Sequence, residues 1–365
     1  MQAFNRGSAG LKIELPSVVV AGEALQGSIR LSLDSKAEAS VLQLVIHGLE
    51  TSTVHWTTEE WKNEHSETKH HSRIERHTLV KVQQVLASVS APAKLASGET
   101  VHQFTLMLPV ALPSSMGASA DGGSCLISYL ATAVLSHPDA QQALQAEQEF
   151  RVTRPTPLLQ PRVAFKETSF QVRGGCLGCS VQGSILFGAA VSSSHLRAGD
   201  TCEAVVAVRN NSRSKVQGAE VTIEETTTWA ADGHMNESRR VVARGALEPD
   251  ALENAEPLSK EAMQARSSAA KLRRQVTRQL TSSSLKRVTL TRATLEEEAT
   301  SGLSSSTRSR LALPVDEKAA DSYLGVHIRT THTMVVNVKG GFWGQPLEMP
   351  LQIGDSTPPS PPESI

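Results

Sequence analysis

The chain of 365 residues carries 36 Lys+Arg against 37 Asp+Glu, a formal charge of -1. This excludes a bulk electrostatic pull toward nucleic acid or anionic lipid and leaves only local patches for such contacts. The length suits about two domains, each large enough to bury its own core. Aromatics make up only 4%, so those cores must be built mainly from Val, Leu, Ile and Ala. Four cysteines, Cys125, Cys176, Cys179 and Cys202, are too few and too unevenly spaced for a disulfide framework. The opening MQAFNRGSAGLKIELP has no apolar leader region, and no apolar run reaches the roughly 18 residues of a membrane-spanning helix. The expectation is a cytoplasmic chain that touches membranes only peripherally.

In chain order, LPSVVVAGEALQGSIRLSLDSKAEASVLQLVIHGLE predicts a turn at Ala21-Gly22-Glu23, a strand through Leu25, Ile29, Leu31 and Leu33, a polar turn from Asp34 to Ser40, and a strand from Val41 to Ile46. Glycine tolerates the positive φ of such turns, and period-2 alternation marks a strand with one buried face. Strands at Leu49 to Trp56 and Thr78 to Leu86 follow, with a charged, His-rich loop expected between them. VHQFTLMLPVALPSSM supplies a strand with Phe104, Leu106 and Leu108 and then a turn at Pro113-Ser114-Ser115. SCLISYLATAVLSH is apolar enough to be central in a sheet, and EQEFRVTRP closes a first unit spanning 1–155.

Residues 156–162, PTPLLQP, read as an extended connector, because proline stiffens the chain and cannot donate to a ladder. A second unit, 163–355, repeats the grammar. HLRAGDTCEAVVAVRNNSRSKVQGAEV gives a turn at Ala198-Gly199-Asp200, a strand through Cys202, Ala204, Val206 and Val208, a turn at Asn210-Asn211-Ser212, and a strand from near Val216. Two copies of one hairpin pattern roughly 175 residues apart imply two similar domains. The pattern breaks over 248–308, read as an insertion that is partly helical or disordered: Leu258, Ala262, Ala265, Ala269, Leu272, Val276 and Leu280 recur at helical spacing. Strand grammar resumes with RLALPVDEKAADSYLGVHIRTTHTMVVNV, and 356–365 is a proline-rich tail expected to be disordered.

These residues resemble the arrestin family, and more closely its arrestin-domain-containing (α-arrestin) branch. The carrying motifs are VVVAGEALQGSIRL, LQLVIHGLETSTVHW, FTLMLPVALPSSMGAS with CLISYLATAVL, LRAGDTCEAVVAVRNNSRSKVQGAEVTI, and LALPVDEKAADSYLGVHIRTTHTMVVNV. The resemblance implies an all-β fold of two consecutive immunoglobulin-like sandwiches, each of seven to eight strands. It further implies a non-enzymatic adaptor without cofactor. Such an adaptor grips cytoplasmic tails of membrane proteins and links them to endocytic and endosomal trafficking machinery, at the plasma membrane or endosomes. The Vps26-type retromer subunit shares the two-sandwich plan and stands as an alternative, a scaffold rather than a cargo adaptor. Tyr129 and Tyr323 are the only tyrosines and neither follows prolines, so the Pro-Pro-x-Tyr route to ubiquitin ligases is missing.

Candidate sites compete with blander readings. His55, His65, His70, His71 and His77 near Glu64 and Glu67 offer imidazoles for Zn²⁺ or for a pH-sensitive contact, but lack the paired spacing of a zinc site, and a solvated loop is the simpler reading. Cys176 and Cys179 form one Cys-x₂-Cys pair where a zinc ribbon needs two; a zinc-binding or redox protein using them is the remaining alternative. No Gly-x-Ser-x-Gly elbow, phosphate-cradling glycine loop or His-Glu-x-x-His motif occurs, so no catalytic residue is assigned. Lys12 and Arg30 lie where the family's anion-gripping strand would be, and two neighbouring cations suit a phosphorylated or acidic tail. Exposed sheet edges suit strand addition by an extended peptide. In the insertion, Lys271, Arg273, Arg274, Arg278, Lys286 and Arg287 around Ser282, Ser283 and Ser284 suit an anionic membrane surface or a regulatory patch.

Overall fold

The computed structural model describes residues 9–34, 37–62, 65–95, 97–136, 143–154, 164–174, 180–252, 307–340 and 344–354. The connector 156–162, the pair Cys176 and Cys179, the six basic residues of the insertion with its expected helix, and the tail 356–365 lie outside them.

The chain is all-β. Its first half contributes β1 (Ala9–Glu14), β2 (Val18–Val20), β3 (Ala24–Leu33), β4 (Ala37–Lys62), β5 (His65–Leu95), β6 (Gly98–Met107), β7 (Met116–Ala120), β8 (Gly123–Ser136) and β9 (Ala143–Thr153). They form a three-stranded sheet, β1-β3-β6, and a six-stranded one, β2-β9-β8-β4-β5 with β7 also on β8. The second half contributes β10 (Ala164–Gly174), β11 (Ser180–Val191), β12 (His195–Leu196), β13 (Thr201–Ser212), β14 (Val216–Ala231), β15 (His234–Leu247), β16 (Thr307–Pro314), β17 (Tyr323–Leu324), β18 (Ile328–Gly340) and β19 (Leu347–Ile353). Their sheets are β10-β11-β13-β16 and β12-β19-β18-β14-β15 with β17 on β18. Without the short pieces β2, β7, β12 and β17, seven and eight main strands are described, the number implied by the family resemblance.

Alternation explains the layering. Leu42, Leu44 and Ile46 of β4 point inward with Cys125, Ile127, Tyr129, Ala131, Ala133 and Leu135 of β8, and meet Leu25, Ile29 and Leu31 from β3 across the layer. In the second half Cys202, Ala204, Val206 and Val208 of β13 face Val221 and Ile223 of β14 and Met334 and Val336 of β18. The first core does not stop at the first half: Trp229, Ala231, Tyr323 and Ile328 belong to it.

Two expectations are corrected. The His-rich stretch is strand rather than loop: His55 lies on β4, and His65, His70, His71 and His77 lie on β5, in unbroken antiparallel register from Leu49↔Thr78 to Lys62↔His65. Thr, Trp and His recur there at period 2, and cross-strand pairs such as Trp56↔His71, together with the Lys69–Glu60 ion pair, supply what apolar alternation does not. The Asn210-Asn211-Ser212 turn is displaced by a few residues, because β13 stays paired with β11 through Gly183↔Ser212. The Asn210 side chain builds the turn instead, donating from Nδ2 to the Ser214 carbonyl (2.7 Å) and accepting the Ser212 amide at Oδ1 (2.9 Å).

Gly123 begins β8 with φ +137, and a Cβ there would sit 2.0 Å from the Thr53 carbonyl oxygen. That oxygen also accepts the Trp229 indole N–H at 3.1 Å. Gly123→Ala is therefore expected to destabilise the chain by about 2 kcal/mol or more, through both backbone strain and loss of this contact. Denaturant unfolding checks it, and an unchanged midpoint contradicts it.

Candidate functional site

The parity of β4 runs inward through Leu42, Leu44, Ile46 and Gly48 and continues through buried Glu50, Ser52 and Val54. Glu50 is fully buried. Its Oε1 accepts the amides of His327 (2.5 Å) and Ile328 (2.7 Å), and its Oε2 accepts the Tyr323 hydroxyl (2.8 Å) and the Val326 amide (3.3 Å). No cation neutralises it by direct contact among the described residues; one carboxylate gathers the turn between β17 and β18. Gly325 permits the approach, since a Cβ there would lie 2.5 Å from Glu50 Oε2. Burial, then the charge and hydrogen bond of Glu50, push the Tyr323 phenol far above its usual range, so it remains a donor.

A second bridge comes from the Pro113-Ser114-Ser115 turn. Ser114 Oγ donates to Asp321 Oδ2 and accepts the Arg154 amide at 3.0 Å. Arg154 Nε donates to the Leu112 carbonyl at 3.1 Å. Asp321 sits on the segment 316–322, whose other end is tied to β14, β15 and β18. Glu225 there accepts Arg240 through Nε (2.7 Å) and Nη2 (2.9 Å), and the Ala320 amide (2.8 Å). His332, wholly buried, brings Nε2 to 3.4 Å from the same carboxylate and Nδ1 to 3.0 Å from Ser322 Oγ. Ser322 Oγ in turn accepts the Ile353 amide at 2.9 Å. Between the two anchorages lies an open cleft of about 700 Å³, lined among others by Arg151, Arg154, Arg240, Lys318 and Asp321.

A third contact is aromatic. Trp56 stacks between His71, 5.3 Å away on its own ribbon, and His234, 4.0 Å away at the tip of the β14–β15 hairpin. Glu75 Oε1 accepts the Asp232 amide (2.9 Å), and Oε2 lies 3.3 Å from His327 Nδ1. The histidine-bearing ribbon thus clasps the second half. Among the described residues no group of three or more His, Cys, Asp or Glu side chains is placed to hold a metal ion.

Lys12 and Arg30 are brought together as a register pair of β1 and β3. Both are already engaged: Lys12 Nζ with Glu14 (3.0 Å), Arg30 with Glu14 (2.9 Å) and Glu99 (2.9 Å). The Arg30 hydrogen bond, followed by that of Lys12, holds the Glu14 carboxyl below its usual range. The pair is exposed and locally neutral. Cys125 and Cys202 are buried free thiols, both pushed up to about 11 by burial, which keeps them protonated and unreactive.

Glu50, Glu225 and His332 are not among the residues that sequence pattern singles out. The available signal was polar residues at inward parity: Glu50 after Ile46, Glu225 after Val221 and Ile223, His332 before Met334 and Val336.

Glu50→Gln replaces half of a four-donor acceptor with an NH₂ that must face donors, and is expected to cost about 2–4 kcal/mol and to speed amide exchange at residues 326–328; unchanged protection there contradicts the assigned role. Burial alone would raise the Glu225 carboxyl, but the hydrogen bonds from His332, Arg240 and the Ala320 amide and the charge of Arg240 outweigh it and bring it from 4.5 to about 2. A folded value below the unfolded one stabilises above pH 4.5, and that stabilisation, at most about 3 kcal/mol, fades as pH falls toward 2. Glu225→Gln should flatten the pH dependence of unfolding in that window, and an unaltered slope contradicts it.

Comparison with known proteins bears on the first half of the chain. Residues 14–158 match the family model of the arrestin (or S-antigen) N-terminal domain. Curated protein sequences give no match. No helix among the described residues is long and apolar enough to cross a membrane. The matched span covers β2 to β9 and the seam-forming residues Glu50, Trp56 and Ser114, so the first half of the chain is similar to the arrestin N-terminal domain.

Proposed function

We propose that the chain is a non-enzymatic adaptor that binds cytoplasmic regions of membrane proteins and couples them to endocytic or endosomal transport, working at the cytosolic face of the plasma membrane or endosomes. The observation that carries this reading is the arrestin N-terminal domain at residues 14–158, whose family gives an adaptor or trafficking role in general terms. The seam supports it physically. An adaptor must present two surfaces in a fixed relation. Here Glu50, the Ser114–Asp321 bridge and the Trp56 stack hold the halves together and leave sheet edges on both sides to meet other proteins.

The test is proximity labelling with the full chain in cells, quantified against a labelled β-sandwich that lacks arrestin character. Integral membrane proteins and coat or sorting components should be enriched together, several-fold over the control. Enrichment of neither class contradicts the proposal.

A further inference from the structure

The cations first expected to grip an acidic tail, Lys12 and Arg30, are matched by Glu14 and Glu99. A different strand carries cations that are not. β5 is an edge of the six-stranded sheet, paired only with β4 among the described residues. Every second N–H and C=O along its outer side therefore lacks a ladder partner. The side chains of Arg73, Arg76 and Lys81 on this strand are exposed and make no ion pair or hydrogen bond among the described residues.

The register orders them. Ile74, Arg76, Thr78, Lys81, Gln83 and Val85 pair with Thr53, Thr51, Leu49, His47, Val45 and Gln43. The irregularity between Gly48 and Leu49 takes up Leu79, so all six side chains fall on one outward face, and all six are exposed. Ile74 and Val85, at the two ends, are 50% and 53% exposed. Arg76 and Lys81 stand four register steps apart, about 13 Å at ~3.3 Å per residue. The row reads apolar, basic, polar, basic, polar, apolar, beside an open hydrogen-bonding edge.

We infer that the outer edge of β5, over residues 73–87, is a docking site for an extended acidic peptide. The peptide adds as a further strand, with its carboxylates on Arg76 and Lys81 and apolar side chains on Ile74 and Val85. This rests on the adaptor reading and specifies the chemistry of the partner. Charge complementarity selects the occupant. A second copy of the chain is disfavoured, because antiparallel self-pairing centred near Thr78 and Val80 would set Arg76 opposite Lys81 of the other copy. Single cations at separated positions match single carboxylates one to one, whereas a doubly charged phosphate calls for a cluster. A lipid surface would leave the open backbone edge unused.

The test uses the full chain and a fluorescent synthetic peptide with valine at each end and glutamate at alternate interior positions, separated by threonines. Binding by anisotropy should weaken with salt and fall at least about tenfold in Arg76→Glu/Lys81→Glu, while Lys215→Glu, an exposed change elsewhere, leaves it intact. N-methylation of the peptide amides along one edge should abolish binding and along the other should not, and amide exchange within 73–87 should slow on binding. Three results overturn the inference: affinity indifferent to the double charge reversal, equal binding of both N-methylated peptides, or phosphatidylserine vesicles captured through Arg76 and Lys81 while the peptide is not. A phosphoserine version binding far more tightly than the glutamate one overturns the carboxylate assignment. If the peptide fails but membrane proteins are still enriched in cells, the β5 site falls and the adaptor reading stands; a peptide that binds without such enrichment gives the reverse.

Discussion

A single buried carboxylate organises the junction of the two halves. Glu50 reaches out of β4 and is met by three amides and one phenol from the β17–β18 turn. A charge withdrawn from water is tolerable only when its lone pairs are filled, and backbone amides fill them without adding a second buried ion. The arrangement also fixes geometry. The turn can satisfy Glu50 in only one position, so the seam has a defined register where apolar contact alone would slide. Trp229, donating to Thr53 while its ring packs into the first core, extends the same constraint.

The remaining polar contacts lie in series with it. The segment 316–322 links Ser114 of the first half to Glu225, Arg240 and His332 of the second, so displacing it disturbs both anchorages. Hydrogen-bonded chains of this kind hold firmly while complete and become costly once one member is lost. The ribbon of β4 and β5 adds a clasp at a distance from Glu50, with an indole between two imidazoles. Polar contacts of different kinds, spaced along one seam, distribute its stability rather than concentrating it at one point.

Much of this was legible in the sequence. Alternation at Leu25 to Leu33, Cys202 to Val208 and along SCLISYLATAVLSH marked strands that the structure contains, with glycines at positive φ in the turns, Gly22 at +84 and Gly199 at +85. The ribbon was not legible, because apolar alternation stops at Trp56 while pairing continues on Thr, His and charged residues whose partners are set by register rather than hydropathy. The seam was hidden for a related reason. Glu50 finds its donors more than 270 positions away in the chain, and only its inward parity hinted at burial. Lys12 and Arg30 were adjacent as expected, but Glu99, remote in sequence, completes their neutrality.

The proposed adaptor role requires the halves to move as one body, held by the polar and aromatic contacts of the seam. The most direct measurement is the distance between spin labels at Gln145 and Glu203, exposed residues of β9 and β13, in a chain with its four cysteines replaced. One narrow distance distribution is expected. A broad distribution, or two resolved distances in the unbound chain, would contradict it.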